Sequence, residues 1–255
     1  MYNLLPSPAN LCRWGLTEDP HCPLCGKIGS LEHVLSACPT ALTDGRYRWR
    51  HDTVLRELAE TLEKERTKHK LKKTKTIPPI NFVKEGQTAP KSAAQASSIL
   101  DGAGNWEMKV DLGRKLVFPA CIQTTLRPDI VMWSAQDKHV VMIELTIPWE
   151  SRCEAAYEIK FAKYAELLEQ CSHKGWKTWL FPVEIGTRGF AAQSLWKMLA
   201  AIGLKSKERR AAIRKLGLAA ESIDLAMVQT LRSKLEANNR HVVADHHCGP
   251  TASRM

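Results

Sequence analysis

Residues 127–150 read RPDIVMWSAQDKHVVMIELTIPWE. Two runs rich in β-branched and aromatic residues, RPDIVMWS and HVVMIELTIPW, flank the turn-like AQDK, a pattern that spells two strands joined as a hairpin. Upstream, WEMKVDLG and KLVFP are short β-like runs. Downstream, 151–172 is a strong helical stretch, WKTWLFPVEIG is a further strand, and helices are expected at about 190–202, 206–216 and 221–236. The order β-β-β-α-β-α describes an α/β domain, a mixed sheet flanked by helices.

Within that stretch two carboxylates stand out. Asp129 follows Pro128 at the start of one strand, and Glu144 sits inside the apolar run VVMIELTI of the next. An isolated buried charge is too costly to keep, so Glu144 must be paired, neutralised or bound to a cation. Strand alternation puts Val140, Met142, Glu144 and Thr146 on one face and Val141, Ile143, Leu145 and Ile147 on the other. Two strand carboxylates converging at a sheet edge offer hard oxygen ligands for Mg²⁺.

The helix that follows adds a third member. At about 100° per residue, Cys153, Ala156, Tyr157, Phe161, Tyr164, Leu167 and Leu168 form a broad apolar face. Lys160 falls inside it and Lys163 at its border. A lysine in a buried stripe needs an anion, which Asp129 and Glu144 would supply. Its ammonium would either activate water and steady charge on a phosphate, or serve only as a snorkelling side chain or structural ion pair.

The N-terminal segment has a different chemistry. Cys22, Cys25, His33 and Cys38 follow the spacing Cys-x2-Cys-x7-His-x4-Cys. CPLCG presents two thiolates from one tight turn, and LEHVL is apolar enough for a short helix that aims the imidazole. Four soft or borderline ligands with no open position define a structural zinc site, not a catalytic one. A redox role for the Cys-x-x-Cys is disfavoured, because no thioredoxin-like strand precedes it. His241, His246, His247 and Cys248 form a looser collection in a tail without apolar pattern, and read as incidental composition.

The net charge is +10 and the pI near 9.3, pointing to a polyanionic partner, nucleic acid before an acidic membrane surface. No eighteen-residue apolar run is present to span a membrane, and MYNLLPSPANLCRWG lacks the pattern of a secretory signal, so reduced thiols are expected. Val54, Leu55, Leu58 and Leu62 fall at helical spacing. The charged run KERTKHKLKKTKT then reads as a solvated helix end or as a phosphate-binding arm. The expected organisation is a zinc-binding module and helix at 1–70, a basic, flexible linker at 71–100, the α/β domain at 101–237 and a disordered tail at 238–255.

RPDIVMWS, VVMIELTIPWE and EIKFAKY together resemble the restriction-like endonuclease domain of non-LTR retrotransposon proteins, a branch of the PD-(D/E)xK nucleases. CPLCG, HVLSACP and GRYRWRHD are similar to the Cys-Cys-His-Cys zinc module that lies between reverse transcriptase and endonuclease in those polyproteins. The likeness runs from about residue 5 to 236, interrupted by the linker. It implies a PD-(D/E)xK-type mixed sheet preceded by a zinc knuckle, and a Mg²⁺-dependent enzyme that nicks target DNA to prime reverse transcription. Asp129 carries over as the Pro-Asp metal ligand and Glu144 as the second. Thr146 stands where the superfamily usually has its lysine, which in this branch is displaced to the following helix, here Lys160 or Lys163. Arg127, Trp149, Glu150 and Tyr164 fall at matching motif positions. The expected partners are DNA and the element's RNA, and a DNA target would place the protein in the nucleus. No paired-aspartate polymerase motif occurs in the chain, which is compatible with a piece of an element protein, a decayed copy or a domesticated remnant that binds without cutting.

Overall fold

The computed structural model describes residues 5–75, 98–113, 116–119 and 124–222, and every structural statement below refers to these. Four strands build one sheet: β1 (Glu107–Val110), β2 (Ile130–Ser134), β3 (His139–Thr146) and β4 (Lys177–Glu184), in the order β1-β2-β3-β4. The first two pairings are antiparallel and β3·β4 is parallel. The hairpin expected at AQDK is present, with Ser134 opposite His139. The helices are α1 (Pro8–Arg13), α2 (Pro39–Thr43), α3 (Arg46–Lys75), α4 (Cys153–His173), α5 (Gln193–Ile202) and α6, residues 206–222. The architecture is mixed α/β, a four-stranded sheet flanked by helices, with the Cys/His cluster ahead of it.

Both sheet faces are covered, which explains why β2 and β3 are buried without a polar alternation. On one face Val131, Trp133, Val140 and Met142 meet Tyr164, Leu167 and Cys171 of α4. On the other, Ile130, Met132, Val141, Ile143 and Leu145 meet Val54, Leu55, Leu58 and Leu62 of α3 together with α5. The helical spacing of those four α3 residues is therefore a sheet-facing stripe. Leu58 is fully buried in it, so Leu58→Ala is expected to cost about 2–5 kcal/mol in chemical denaturation, by lost burial plus the cavity left behind.

Three expectations need correction. KLVFP forms no strand over its described residues 116–119; Leu116 and Phe118 instead cap the α4 side of the core. The expected break between helices at 216 and 221 does not occur, because α6 runs unbroken across it. Gly217 is there for contact: a Cβ would lie 2.7 Å from the Gly189 carbonyl oxygen. Third, the buried stripe of α4 is narrower than its apolar residues suggest. Cys153, Tyr164, Leu167 and Cys171 are buried, whereas Phe161 is 41% exposed and Tyr157 only half-buried. Lys160 keeps its place, since 153, 160, 164, 167 and 171 follow one helical stripe. The tail histidines and the helix expected at 221–236 beyond residue 222 lie outside the described residues.

Because β2 starts where its antiparallel partner β3 ends, Asp129 comes to the same sheet end as Glu144 and Thr146. The parallel strand β4 brings Glu184 there too, opposite Thr146.

Candidate metal centre and carboxylate site

The Cys-x-x-Cys turn closes on its own backbone. The Cys22 N–H donates to the Lys27 carbonyl at 2.7 Å, and the N–H groups of Cys25 and Gly26 point back at the Cys22 carbonyl at 3.3 and 2.9 Å. Gly26 takes φ +71°, the left-handed value the turn requires. His33 opens a single π-helical turn, His33–Ala37, that delivers Cys38 at its end. The four ligand atoms all lie within 4.8 Å of one another, with Cys25 Sγ 3.2 Å from His33 Nε2 and Cys22 Sγ 4.0 Å from Cys38 Sγ. For metal–sulfur bonds of about 2.3 Å a tetrahedron has edges of roughly 3.5–4 Å, so this constellation is sized to hold one metal ion. Burial, helped by the neighbouring Cys38 and Cys25 thiols, pushes the Cys22 thiol up to about 11, and burial with the Lys27 charge holds the His33 imidazole below its ordinary value. Metal binding must therefore release protons. Tyr47 of α3 fixes the backbone behind the ligands: its Oη accepts the Cys38 N–H at 2.9 Å and lies 3.1 Å from the Val34 carbonyl oxygen.

At the sheet end, Glu144 is 3% exposed and surrounded by donors. Lys160 Nζ reaches its Oε1 at 2.6 Å and Lys163 Nζ the same oxygen at 3.3 Å, while Tyr164 donates to Oε2 at 2.8 Å. The approach of Lys160 to Glu144 is the one its place in the helix stripe calls for. Lys163 also bonds the Tyr164 hydroxyl at 2.9 Å. Burial and the Glu144 charge hold the Tyr164 phenol far above its usual range, so it remains a donor. Thr146, on the same strand face as Glu144, has a buried Oγ1 with no hydrogen-bond partner. The lysines that reach Glu144 both come from α4.

Asp129 is held differently. Its Oδ2 accepts the Leu145 N–H at 2.7 Å and lies 3.4 Å from His51 Nε2, whose other ring nitrogen is 3.2 Å from Asp52 Oδ1. Among the described residues, the Cys/His cluster is the one group of three or more His, Cys or carboxylate ligand atoms close enough to share an ion. Asp129 and Glu144 thus share one sheet end, Asp129 beside His51 and Glu144 beside Lys160 and Lys163.

Sequence reading missed His51. The signal was there in retrospect: His51 stands three, four and seven residues before Val54, Leu55 and Leu58, on the stripe that faces the sheet. Burial works against its protonation, but the carboxylates of Asp129 and Asp52 outweigh it and push the imidazole up to about 9. A His with a raised folded pKa stabilises fully below its unfolded value near 6.5 and loses that contribution as pH rises through about 9. With the Cys/His cluster loaded and no other divalent cation added, the stability gap between the parent and His51→Ala is expected to shrink over that window, from about 3 kcal/mol at most. Urea denaturation at several pH values reads it directly.

Past β3, Glu150 and Arg188 close the loop that follows β4. Arg188 binds Glu150 Oε2 through Nε and Nη2 at 3.0 and 2.8 Å, and its guanidinium lies 4.4 Å over the Trp149 ring. Gly186 permits this closure, since a Cβ there would sit 2.7 Å from Glu150 Cγ. Glu150, Arg188 and Trp149 thus contact one another, and no hydrogen bond of Glu150 or Arg188 among the described residues reaches Asp129 or Glu144. The Arg127 carbonyl oxygen lies 3.0 Å from the same Tyr164 hydroxyl, a second acceptor beside its single proton.

No protein-family model and no curated protein matches this sequence.

Proposed function

We propose that this chain is a Mg²⁺-dependent DNA endonuclease of the PD-(D/E)xK type, from the C-terminal region of a non-LTR retrotransposon protein, with a zinc module that helps grip nucleic acid. The observation that carries this reading is the 2.6 Å approach of Lys160 Nζ to Glu144 at the sheet end that also bears Asp129. An acid pair and a lysine from the next helix, on a basic chain, suit hydrolysis of a phosphodiester.

Asp129 and Glu144 are the residues that would hold Mg²⁺, whose chemistry is to polarise the phosphate and acidify water. Lys160 steadies charge developing on the phosphate and orients the attacking water. Lys163 tethers the Tyr164 hydroxyl, and Tyr164 in turn fixes the second Glu144 oxygen against rotation. For the Cys/His cluster, three thiolates and one imidazole, with no further such ligand grouped with them among the described residues, favour zinc over harder ions. DNA and the element's RNA are the partners this reading implies, with a nuclear site of action. No helix among the described residues is long and apolar enough to cross a membrane.

A second reading has its own support. Both Glu144 oxygens already have protein partners, as they would in a nucleic-acid-binding remnant that has stopped cutting. Incubating the chain with branched or nicked duplex DNA separates the two. Under the first reading, Mg²⁺ yields new nicks with extendable 3′-hydroxyl ends and chelator abolishes them. Binding with no nick in any divalent metal leaves the remnant.

A further inference from the structure

We propose that occupancy of the Cys/His cluster sets how tightly Asp129 and Glu144 hold a divalent cation, with Tyr47 and His51 of α3 as the residues that link the two sites. This deepens the nuclease reading and rests on its assignment of Asp129 and Glu144 as metal ligands.

The link is short and continuous. Tyr47 Oη accepts the N–H of Cys38, itself a cluster ligand, at 2.9 Å, and lies against the carbonyls of His33 and Val34. Four residues on, one helical turn along the same face, His51 Nε2 is 3.4 Å from Asp129 Oδ2. That same oxygen takes the N–H of Leu145, the residue after Glu144. Cluster backbone, the first two turns of α3 and both carboxylate strands are thus in contact through two side chains. Two further contacts clamp the module to this sheet end: Arg152 to Glu32 at 2.6 Å, and Trp149 against the cluster of Leu31 and Leu35.

The start of α3 depends on that support. Its first turn carries Arg46 and Arg48 and no acidic residue, the wrong charge for a helix N-terminus. The segment from His33 to Cys38 is a single turn, too short to be stable by itself, so an ion held by His33 and Cys38 would add to its order. Without the ion, Tyr47 loses its fixed partner, the first turn of α3 is free to fray, and His51 no longer holds Asp129. His51 is a positioning residue here, acting on the cation through Asp129.

The test uses the zinc-loaded full chain and Mn²⁺ as the probe cation, with free Mn²⁺ followed by electron paramagnetic resonance. Tyr47→Phe keeps the ring and its packing but removes the hydroxyl. It and His51→Ala are each expected to weaken Mn²⁺ binding about 5–20-fold, with zinc content and melting temperature as controls. The double variant should be no weaker than the worse single, as expected for two residues of one relay. His51→Gln, which retains a hydrogen-bonding group, should recover part of the loss. Cys25→Ser, which removes one cluster ligand, should lower Mn²⁺ affinity by a similar factor; if that chain does not fold, Tyr47→Phe carries the test. Asp129→Ala is the reference. If it binds Mn²⁺ like the parent, the assignment of the carboxylate site fails. If it loses Mn²⁺ while Tyr47→Phe and His51→Ala bind normally, or if those two losses add, the coupling is overturned and the site assignment stands.

Discussion

Asp129→Ala is expected to leave a chain that binds duplex DNA and does not cut it. Under the proposed function the change removes one of the two acidic groups that would hold Mg²⁺, and loss of a centre that stabilises transition-state charge costs on the order of 10²–10³ in rate or more. The variant needs a control for folding. Asp129 Oδ2 also accepts the Leu145 N–H, so alanine leaves a part-buried donor without its partner, at about 1–3 kcal/mol. Asp129→Asn keeps an acceptor in that place while removing the charge. Both variants should be inactive, and Asn should melt closer to the parent. Nicking that persists in both would sink the site assignment.

Stripping the metal from the Cys/His cluster is the second large effect. A structural zinc site contributes on the order of 10 kcal/mol of binding free energy that is also folding free energy. The segment it holds is too small to keep itself folded, with Leu31, Val34 and Leu35 as its buried apolar core. If only a third of that energy is passed to the rest of the fold through Tyr47, Trp149 and Arg152, the melting temperature falls by roughly 10 °C. One zinc per chain by elemental analysis, lost in Cys22→Ser together with that shift, is the expected result. A chain that carries no metal and melts unchanged in strong chelator would show that the four residues are only reduced neighbours.

The parts that the sequence made legible are those governed by local periodicity. Strand alternation placed Glu144 with Thr146, and helical spacing placed Lys160 in the stripe that faces the sheet; their meeting at 2.6 Å follows from those two periods and the crossover between β3 and β4. The metal cluster was readable because ligand type and spacing are themselves the signal. Contacts between distant segments were not. His51 and Asp129 are 78 residues apart, and a polar residue in the charged stretch GRYRWRHD has no local feature that names its partner. Phe161 misled for a related reason. Its type says buried, but a helix lying on a four-stranded sheet covers it along one narrow stripe only, and Phe161 falls outside. Gly217 reads locally as a helix breaker, whereas its reason lies in Gly189, on another element.

Under the proposed function, Asp129, Glu144 and Lys160 together nick DNA in a metal-dependent way. The most direct measurement is conversion of circular duplex DNA to nicked circles across a Mg²⁺ titration, with Glu144→Gln and Lys160→Met in parallel. The expected result is nicking that saturates with Mg²⁺, reduced on the order of 10²-fold or more in each variant while DNA binding is retained. Cutting that survives Glu144→Gln, or tight DNA binding with no cutting at any Mg²⁺ or Mn²⁺ concentration, would contradict it.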